Sequence, residues 1–555
     1  MRQFVQNFNR YLFKEIDPIG LAVFRISYFF VVMLEVIHFY DWRHVIFDKI
    51  PYLVKSEINF QFIFLFWFIA IFFLIIGYKT RIASIVNYIF SVLIFSSSAA
   101  FEYHIFYTYV GVAFISMFTP LSAALSLDRL LDQFKSAGDQ KITNSIKSYR
   151  VHYYAIILVG IGLVYFDSIF FKLDARMWIN GIGMWMPASL PMATWNDTSW
   201  LLNNQYLVIF LNYFVILFEF VFLFIFGKKQ FRVPIMVIGI FFHLGIYIQY
   251  PIPYFALAYI AIYLLFFPVG ALRRYVNLLM PPQHQSGQIF PYRNLQEASG
   301  WLRKGVLTAF LGFASVVPVL GKWLDQALRL ATEAKSPIRF SATLDLFTRK
   351  FWYIVLVFFV VSQMIITWYS PYSIVLRKQL GFTITENIEK TRPFIGFYSF
   401  IINFFGITHH GVFTDYHFKN FNHIVHIKYV VQGKVYNVPL LDERGLTGEM
   451  INGTIWRNIA FNVITPNITQ EKMETGIVPY LRYYVENYHS GDYSGHFIFY
   501  GKEIEVPSSW KQDQLRHNMA QPWSVLGRAS FQNYSVVFSW NSAMKDLLQQ
   551  ERKTF

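Results

Sequence analysis

The sequence predicts a polytopic α-helical membrane protein of about nine spans, closed at its C-terminus by a mostly β extracytoplasmic domain. Three observations carry that expectation. Of 555 residues, 55% are hydrophobic and only 15% charged, a balance suited to a chain solvated largely by lipid. Apolar runs of roughly twenty residues, the length that crosses a bilayer core, recur through the first 370 positions. Beyond Ser370 the texture changes to short alternating segments broken by glycine turns.

The runs fall near 19–39, 58–77, 82–100, 104–120, 154–171, 206–227, 233–250 and 253–270, with a ninth near 351–369. Pro251 and Pro253 split the seventh from the eighth, which predicts a tight hairpin. Met1 to Pro18 is mixed polar and reads as no cleavable signal. Charge then orients the spans. With an inside N-terminus, the inside segments carry Arg2, Arg10 and Lys14, then Lys79 and Arg81, then a basic stretch from Arg129 to Arg150, then Lys228, Lys229 and Arg232. Eleven more Lys and Arg lie between Arg273 and Lys350, whereas the outside loops hold only Arg43, Lys49, Lys55, Lys172 and Arg176. The net charge of +15 is thus assigned to cytoplasmic loops, not to nucleic acid. The expected address is the cytoplasmic membrane, N-terminus inside and C-terminus outside.

Four regions follow: a helical domain over 1–275, a basic cytoplasmic connector over 276–350, a last span over 351–370 and an outer domain over 371–555. Within the connector, Val306 to Leu320 is apolar but interrupted, and Leu324 to Lys335 reads as a short amphipathic helix. In the outer domain, His423–Val431 and Val435–Leu440 flank Gln432-Gly433 and predict a hairpin. Tyr480–Glu486 and His496–Tyr500 read as further strands, and Ser542 to Arg552 as a helix.

Cysteine is absent, which removes disulfides, thiolate metal sites and cysteine nucleophiles. There is no Gly-rich phosphate loop and no His-Glu-x-x-His. His409, His410, Asp415 and His417 have the residue types of a zinc site, but adjacent histidines point apart, so no metal is expected. Ionisable groups inside the runs are the stronger lead, because charge in hydrocarbon is costly. Arg25, Glu35, Asp167, Glu219 and His243 lie within runs, and His104 opens one. Interhelical pairing is the ordinary role for Arg25, Glu35 and Glu219. Lys172 ends an outward run, His104 starts an inward one and His243 lies about ten residues into another, so the three could border one outer-leaflet cavity. A helix-end lysine can snorkel to headgroups, or lose water and become a base.

Several stretches together resemble a known family. They are Asp17-Pro-Ile-Gly-Leu-Ala-Val-Phe-Arg25-Ile, Glu102-Tyr-His104, Leu125-Ser-Leu-Asp128, Phe170-Phe-Lys172-Leu-Asp174-Ala-Arg-Met-Trp178 and Phe242-His243. They resemble the horizontally transferred transmembrane (HTTM) domain of vitamin K-dependent gamma-carboxylases and their bacterial relatives. Ser370-Pro-Tyr-Ser373 and the strand from His423 resemble the carboxylase continuation. The resemblance implies a lyase and quinol epoxidase. Its base falls on Lys172, and its histidine for the quinone oxygens falls on His104. It implies His243 as a pocket wall and places Arg25 and Asp174 on the cofactor side. The implied cofactor is a reduced vitamin K-type quinol such as menaquinol. The implied partners are quinone, membrane lipid and a peptide or protein substrate on the outer side. Three positions depart from the pattern. Phe171 replaces the first lysine of the family's pair, Ile246 replaces an asparagine, and no Gly-Tyr-Asn-Asn-Trp follows Ser373. The rival expectation is a non-enzymatic scaffold, maturation factor or transporter on the same domain, with Glu219 and Asp167 as a charged path.

Overall fold

The computed structural model describes residues 15–16, 18–47, 60–98, 101–129, 131, 149–150, 152–267, 342–381, 391–418, 421–464, 469–532 and 535–544. The chain divides into two compact units, Met1–Phe267 with Leu356–Phe555, and Pro268–Val355. In the second unit the described residues, 342–355, are the helical start of α9. The readings at Val306–Leu320 and Leu324–Lys335 lie outside the described residues.

Each apolar run is built around a helix: α1 Ile19–Asp41, α2 Phe60–Ile76, α3 Thr80–Ser97, α4 Ile105–Ser116, α5 His152–Lys172, α6 Gln205–Ile225, α7 Arg232–Gln249, α8 Pro253–Tyr263 and α9 Ala342–Trp368. Among the described residues five helices are long and apolar enough to cross a membrane: Ile19–Asp41, Thr80–Ser97, Gln205–Ile225, Lys229–Gln249 and Lys350–Trp368. With 12 residues, α4 is only about 18 Å long, short of a bilayer core. α6 shows the expected two-sidedness. Val208, Asn212, Val215, Glu219 and Phe222 are buried, while Phe210, Leu217, Phe220 and Phe224 are exposed. Wide apolar exposure on one helix face is what lipid contact requires.

After α9 come two more helices, α10 Pro371–Gln379 and α11 Arg392–Phe405. The C-terminal region thus opens helical, and its sheet starts only at His423. That sheet is antiparallel: β1 His423–Val431, β2 Lys434–Asn437, β3 His496–Glu503, β4 Ser524–Gln532 and β5 Ser535–Trp540, in the order β2-β1-β3-β4-β5. The predicted hairpin is present, with Val431 opposite Lys434. Gln432 and Gly433 both take positive φ, 51° and 72°, as a two-residue turn matching strand twist requires. β2 stops at Asn437, earlier than Leu440, because Pro439 cannot donate to a ladder. His496–Tyr500 is the start of β3, as expected.

Tyr480–Glu486 is a correction. It lies in helix α12, Gln470–Tyr488, not in a strand. Its aromatic and β-branched residues suit a sheet, but its burial has the helical period: Met473, Ile477, Tyr480, Leu481, Tyr484 and Val485. The Thr469 side chain caps the first turn by accepting from the Lys472 amide at 3.3 Å. Residues 542–544 begin a helix, and the rest of that reading lies outside the described residues.

The C-terminal region is tied to the helices through residues 185–194, nearly all buried. Trp456 donates to the Met192 carbonyl at 2.8 Å, the Thr447 amide to Thr194 at 2.9 Å and Asn518 to Ser189 at 3.2 Å.

One pH effect follows from the sheet. Burial pushes the His423 imidazole from 6.5 down to about 4. Below pH 6.5 the unfolded chain takes up a proton that the folded sheet resists, so stability falls as pH drops towards 4. The loss should reach about 3 kcal/mol. The thermal midpoint of the full-length protein should fall across that window, and fall visibly less in His423→Gln. An identical pH profile in the variant would refute the assignment.

Candidate functional site

α5 ends at Lys172, where the apolar run ends. The helix stops because the chain turns through Leu173-Asp174 into extended Ala175. The next short helix, Arg176–Ile179, is held by a distant carboxylate. Asp415 accepts from the Arg176 amide at 2.6 Å and the Met177 amide at 3.0 Å. Trp178, fixed by its indole donating to the Phe413 carbonyl at 2.7 Å, lays its ring 4.7 Å from the Lys172 Nζ.

Lys172 does not snorkel. A helical Cβ tilts toward the helix N-terminus, and this side chain continues that way, back into the bundle. It is 5% exposed, and its Nζ lies 2.5 Å from both carboxylate oxygens of Glu219. Glu219 is buried on the inner face of α6, 14 residues past its start.

Five residues before Lys172, Asp167 is fully buried. It accepts from the Thr367 hydroxyl at 2.5 Å and from the His410 backbone amide at 2.7 Å, with His410 Nδ1 at 3.5 Å. Glu219 also interacts with Ser168 and feels the charge of His410. The His410 ring lies 6.2 Å from that of His104. His104 keeps a buried Nδ1 without a hydrogen-bond partner among the described residues. Behind it stand His417 and Arg457, both electrostatically coupled to His104. Burial and Arg457 push the His417 imidazole below its ordinary value. Lys172, Glu219, Asp167, His410 and His104 thus form one buried polar group, drawn from α4, α5, α6 and the segment after α11.

The other sequence-picked residues lie elsewhere. His243 is buried in an aromatic wall, stacked 4.7 Å over Tyr259, with Nδ1 2.9 Å from the Gly239 carbonyl. Tyr259 reaches Thr108, one turn along α4 from His104, at 3.3 Å. His243 thus adjoins the His104 helix without touching Lys172. Arg25 is fully buried and donates to the carbonyls of Leu121 at 2.6 Å and Leu125 at 2.5 Å. Asp128, from the same stretch, caps α3 through the amides of Lys79 at 2.7 Å and Thr80 at 3.1 Å. Arg25 therefore fastens a loop. Asp174 is exposed.

His410, weighed from the sequence only as a metal ligand, joins the acid–base cluster beside Asp167 instead. Its signal is the apolar run from Phe394 to Phe405, too short to span, ending in Gly406 and leading straight to His409-His410. Among the described residues no group of three or more His, Cys, Asp or Glu is arranged to hold a metal ion. Compared with known protein families, curated proteins and solved structures, the chain matches none.

Proposed function

We propose that the chain is a multi-pass protein of the cytoplasmic membrane, N-terminus inside and C-terminus outside, with its nine apolar helices embedded. On this reading Lys172 serves as the base in quinol-linked, gamma-carboxylase-like chemistry. The observation that carries the reading is Lys172 turned inward onto Glu219 beside Asp167 and His410. A buried ion pair is a weak stabiliser, and apolar residues of similar volume often serve a fold as well. Two such acid–base pairs, five residues apart along α5 in an apolar bundle, are better explained by proton handling. At low dielectric the charge-separated and neutral forms of a lysine–carboxylate pair approach one another in energy, so the shared proton can move to Glu219 and free the amine.

The residues present fit an aromatic diol. Trp178 and Phe171 flank Lys172, and His104 holds an unpartnered imidazole nitrogen. Lys172 and His104 would contact its oxygens, with His243 and Tyr259 as a more distant wall. A bound quinol supplies an acidic hydroxyl and, with dioxygen, the strong base needed to carboxylate a glutamyl side chain. The protein's own share is to take the first proton at Lys172 Nζ, orient the ring through His104 and exclude water.

A second reading rests on the same pair. With both Glu219 oxygens at 2.5 Å, Lys172 has the geometry of a saturated structural tie, as a scaffold or maturation factor would use. The deciding measurement is oxygen-dependent oxidation of menaquinol-4 by the purified protein in nanodiscs. Turnover at least tenfold above empty nanodiscs is expected. A rate equal to the blank would reject the enzyme and leave the scaffold.

A further inference from the structure

We propose that residues 392–411 form a re-entrant arm that carries His410 into the bundle, and that His410 relays the proton of the Lys172–Glu219 pair, with Asp167 as its positioning residue. The inference rests on the reading of Lys172 as a base.

The arm's path is set by its rings. Phe394, near the start of α11, packs 5.0 Å from Tyr369, one residue past the end of α9. Phe405, at the other end, packs 4.7 Å from Phe358, ten residues back along α9, and 4.9 Å from Phe114, ten residues into α4. Two independent helices thus give the same depth, about 15 Å. Ile395, Phe400 and Phe404 are exposed along the outer face, as lipid contact demands. Gly406 then turns the chain with φ +66°. The return segment, 407–411, has no regular secondary structure, and non-helical backbone at such depth needs internal partners. It has them. Gln363 donates to the Thr408 carbonyl at 3.2 Å, the Thr408 hydroxyl meets Tyr398 at 3.1 Å, and the His410 amide reaches Asp167. At the exit, a Cβ on Gly411 would come within 2.6 Å of the Phe171 ring. The sequence Gly-Ile-Thr-His-His-Gly is therefore fitted at both ends to set one histidine against Asp167.

Asp167 from α5 and His104 from α4 lie against His410, and Glu219 from α6 interacts with it electrostatically, with Lys172 beyond Glu219 and His417 and Arg457 coupled to His104. That order makes a path. The Lys172 amine takes a proton from the substrate. The new N–H bond forms as the substrate's O–H or C–H bond breaks, and the electron pair stays on the substrate. Glu219, carrying the proton of the neutral pair, passes it to His410 and returns to carboxylate. The imidazolium, steadied by Asp167, releases it toward His104 and the outer face. Without this exit the Lys172–Glu219 pair would hold two protons and stop after one turnover. Asp167 acts through His410, by accepting from its backbone amide at 2.7 Å with the ring Nδ1 3.5 Å away.

Two measurements on the full-length protein in nanodiscs test the relay. In menaquinol-4 oxidation, His410→Gln should lose about 100-fold, as loss of a proton-transfer group does. Asp167→Asn should lose about tenfold, and His409→Gln should stay within twofold. Imidazole should restore His410→Ala at least tenfold, which a purely structural histidine would not allow. The second needs no substrate. In histidine-labelled protein, the ¹⁵N resonances of His410, assigned by their loss in His410→Gln, should move at neutral pH in both Asp167→Asn and Glu219→Gln. An active wild type with His410→Gln within twofold, or unmoved His410 resonances, overturns the relay and leaves the Lys172 base standing. A wild type that does not oxidise menaquinol-4 rejects the quinol reading, and the relay with it.

Discussion

Lys172→Arg is expected to fold and to be inactive, while Lys172→Met is expected to be unstable. The arginine keeps a cation against Glu219 and can bind both carboxylate oxygens, so the pair survives. Guanidinium remains protonated in proteins, so it cannot accept a substrate proton. The methionine leaves Glu219 buried without its cation, and breaking one side of a buried pair costs about 3–5 kcal/mol. Lys172→Met combined with Glu219→Leu removes both charges and should recover most of that loss while staying inactive. Thermal midpoints of the four proteins and their menaquinol-4 oxidation rates separate stability from chemistry. A scaffold predicts a different pattern, in which arginine and the double variant both support the cellular phenotype. Full activity in Lys172→Arg would remove Lys172 as a base.

The position of Lys172 was legible in the sequence, and its surroundings were not. An apolar run ending at Phe171 fixes where α5 stops, because the same hydropathy decides helix length and the helix end. Its partner is 47 residues away, on a helix whose other buried positions are mostly apolar, and no local pattern joins two such residues. The charge at Asp174 lies nearer in sequence, but it is exposed and plays no part in the pair. The hairpin at Gln432-Gly433 was legible because register there depends on two backbone angles. Tyr480–Glu486 was not, since seven residues show composition while the helical period needs the whole of α12. The arm was hidden for a related reason. It starts at Arg392, past Ser370–Ser373 where the texture turns polar, and that boundary suggested a region wholly outside the helices. A run of about a dozen apolar residues inside it has another use, the re-entrant one.

Gly406→Val is expected to expel the arm, and with it His410. A Cβ at Gly406 would collide with the Tyr107 carbonyl, which cannot yield without breaking α4. A left-handed backbone adds about 1–2 kcal/mol for a residue with a side chain, and a β-branched one fits it least well. Overpacking typically costs a further 1–3 kcal/mol. Gly433→Val separates strain from collision. It has φ +72°, close to that of Gly406, but nothing lies within 4 Å of its Cβ, so only the local turn should suffer. Because the chain lacks cysteine, Phe404→Cys can report the arm directly. Phe404 is exposed on α11, where the proposed arm puts it in lipid, so the cysteine should resist a water-soluble maleimide in the wild-type and Gly433→Val backgrounds. It should react once Gly406→Val is added, and menaquinol-4 oxidation should fall with it. Equal protection in both glycine variants would mean that the arm does not depend on the close approach to Tyr107. Rapid labelling of Phe404→Cys in the wild-type background would place the arm in water and remove the path by which His410 reaches Asp167.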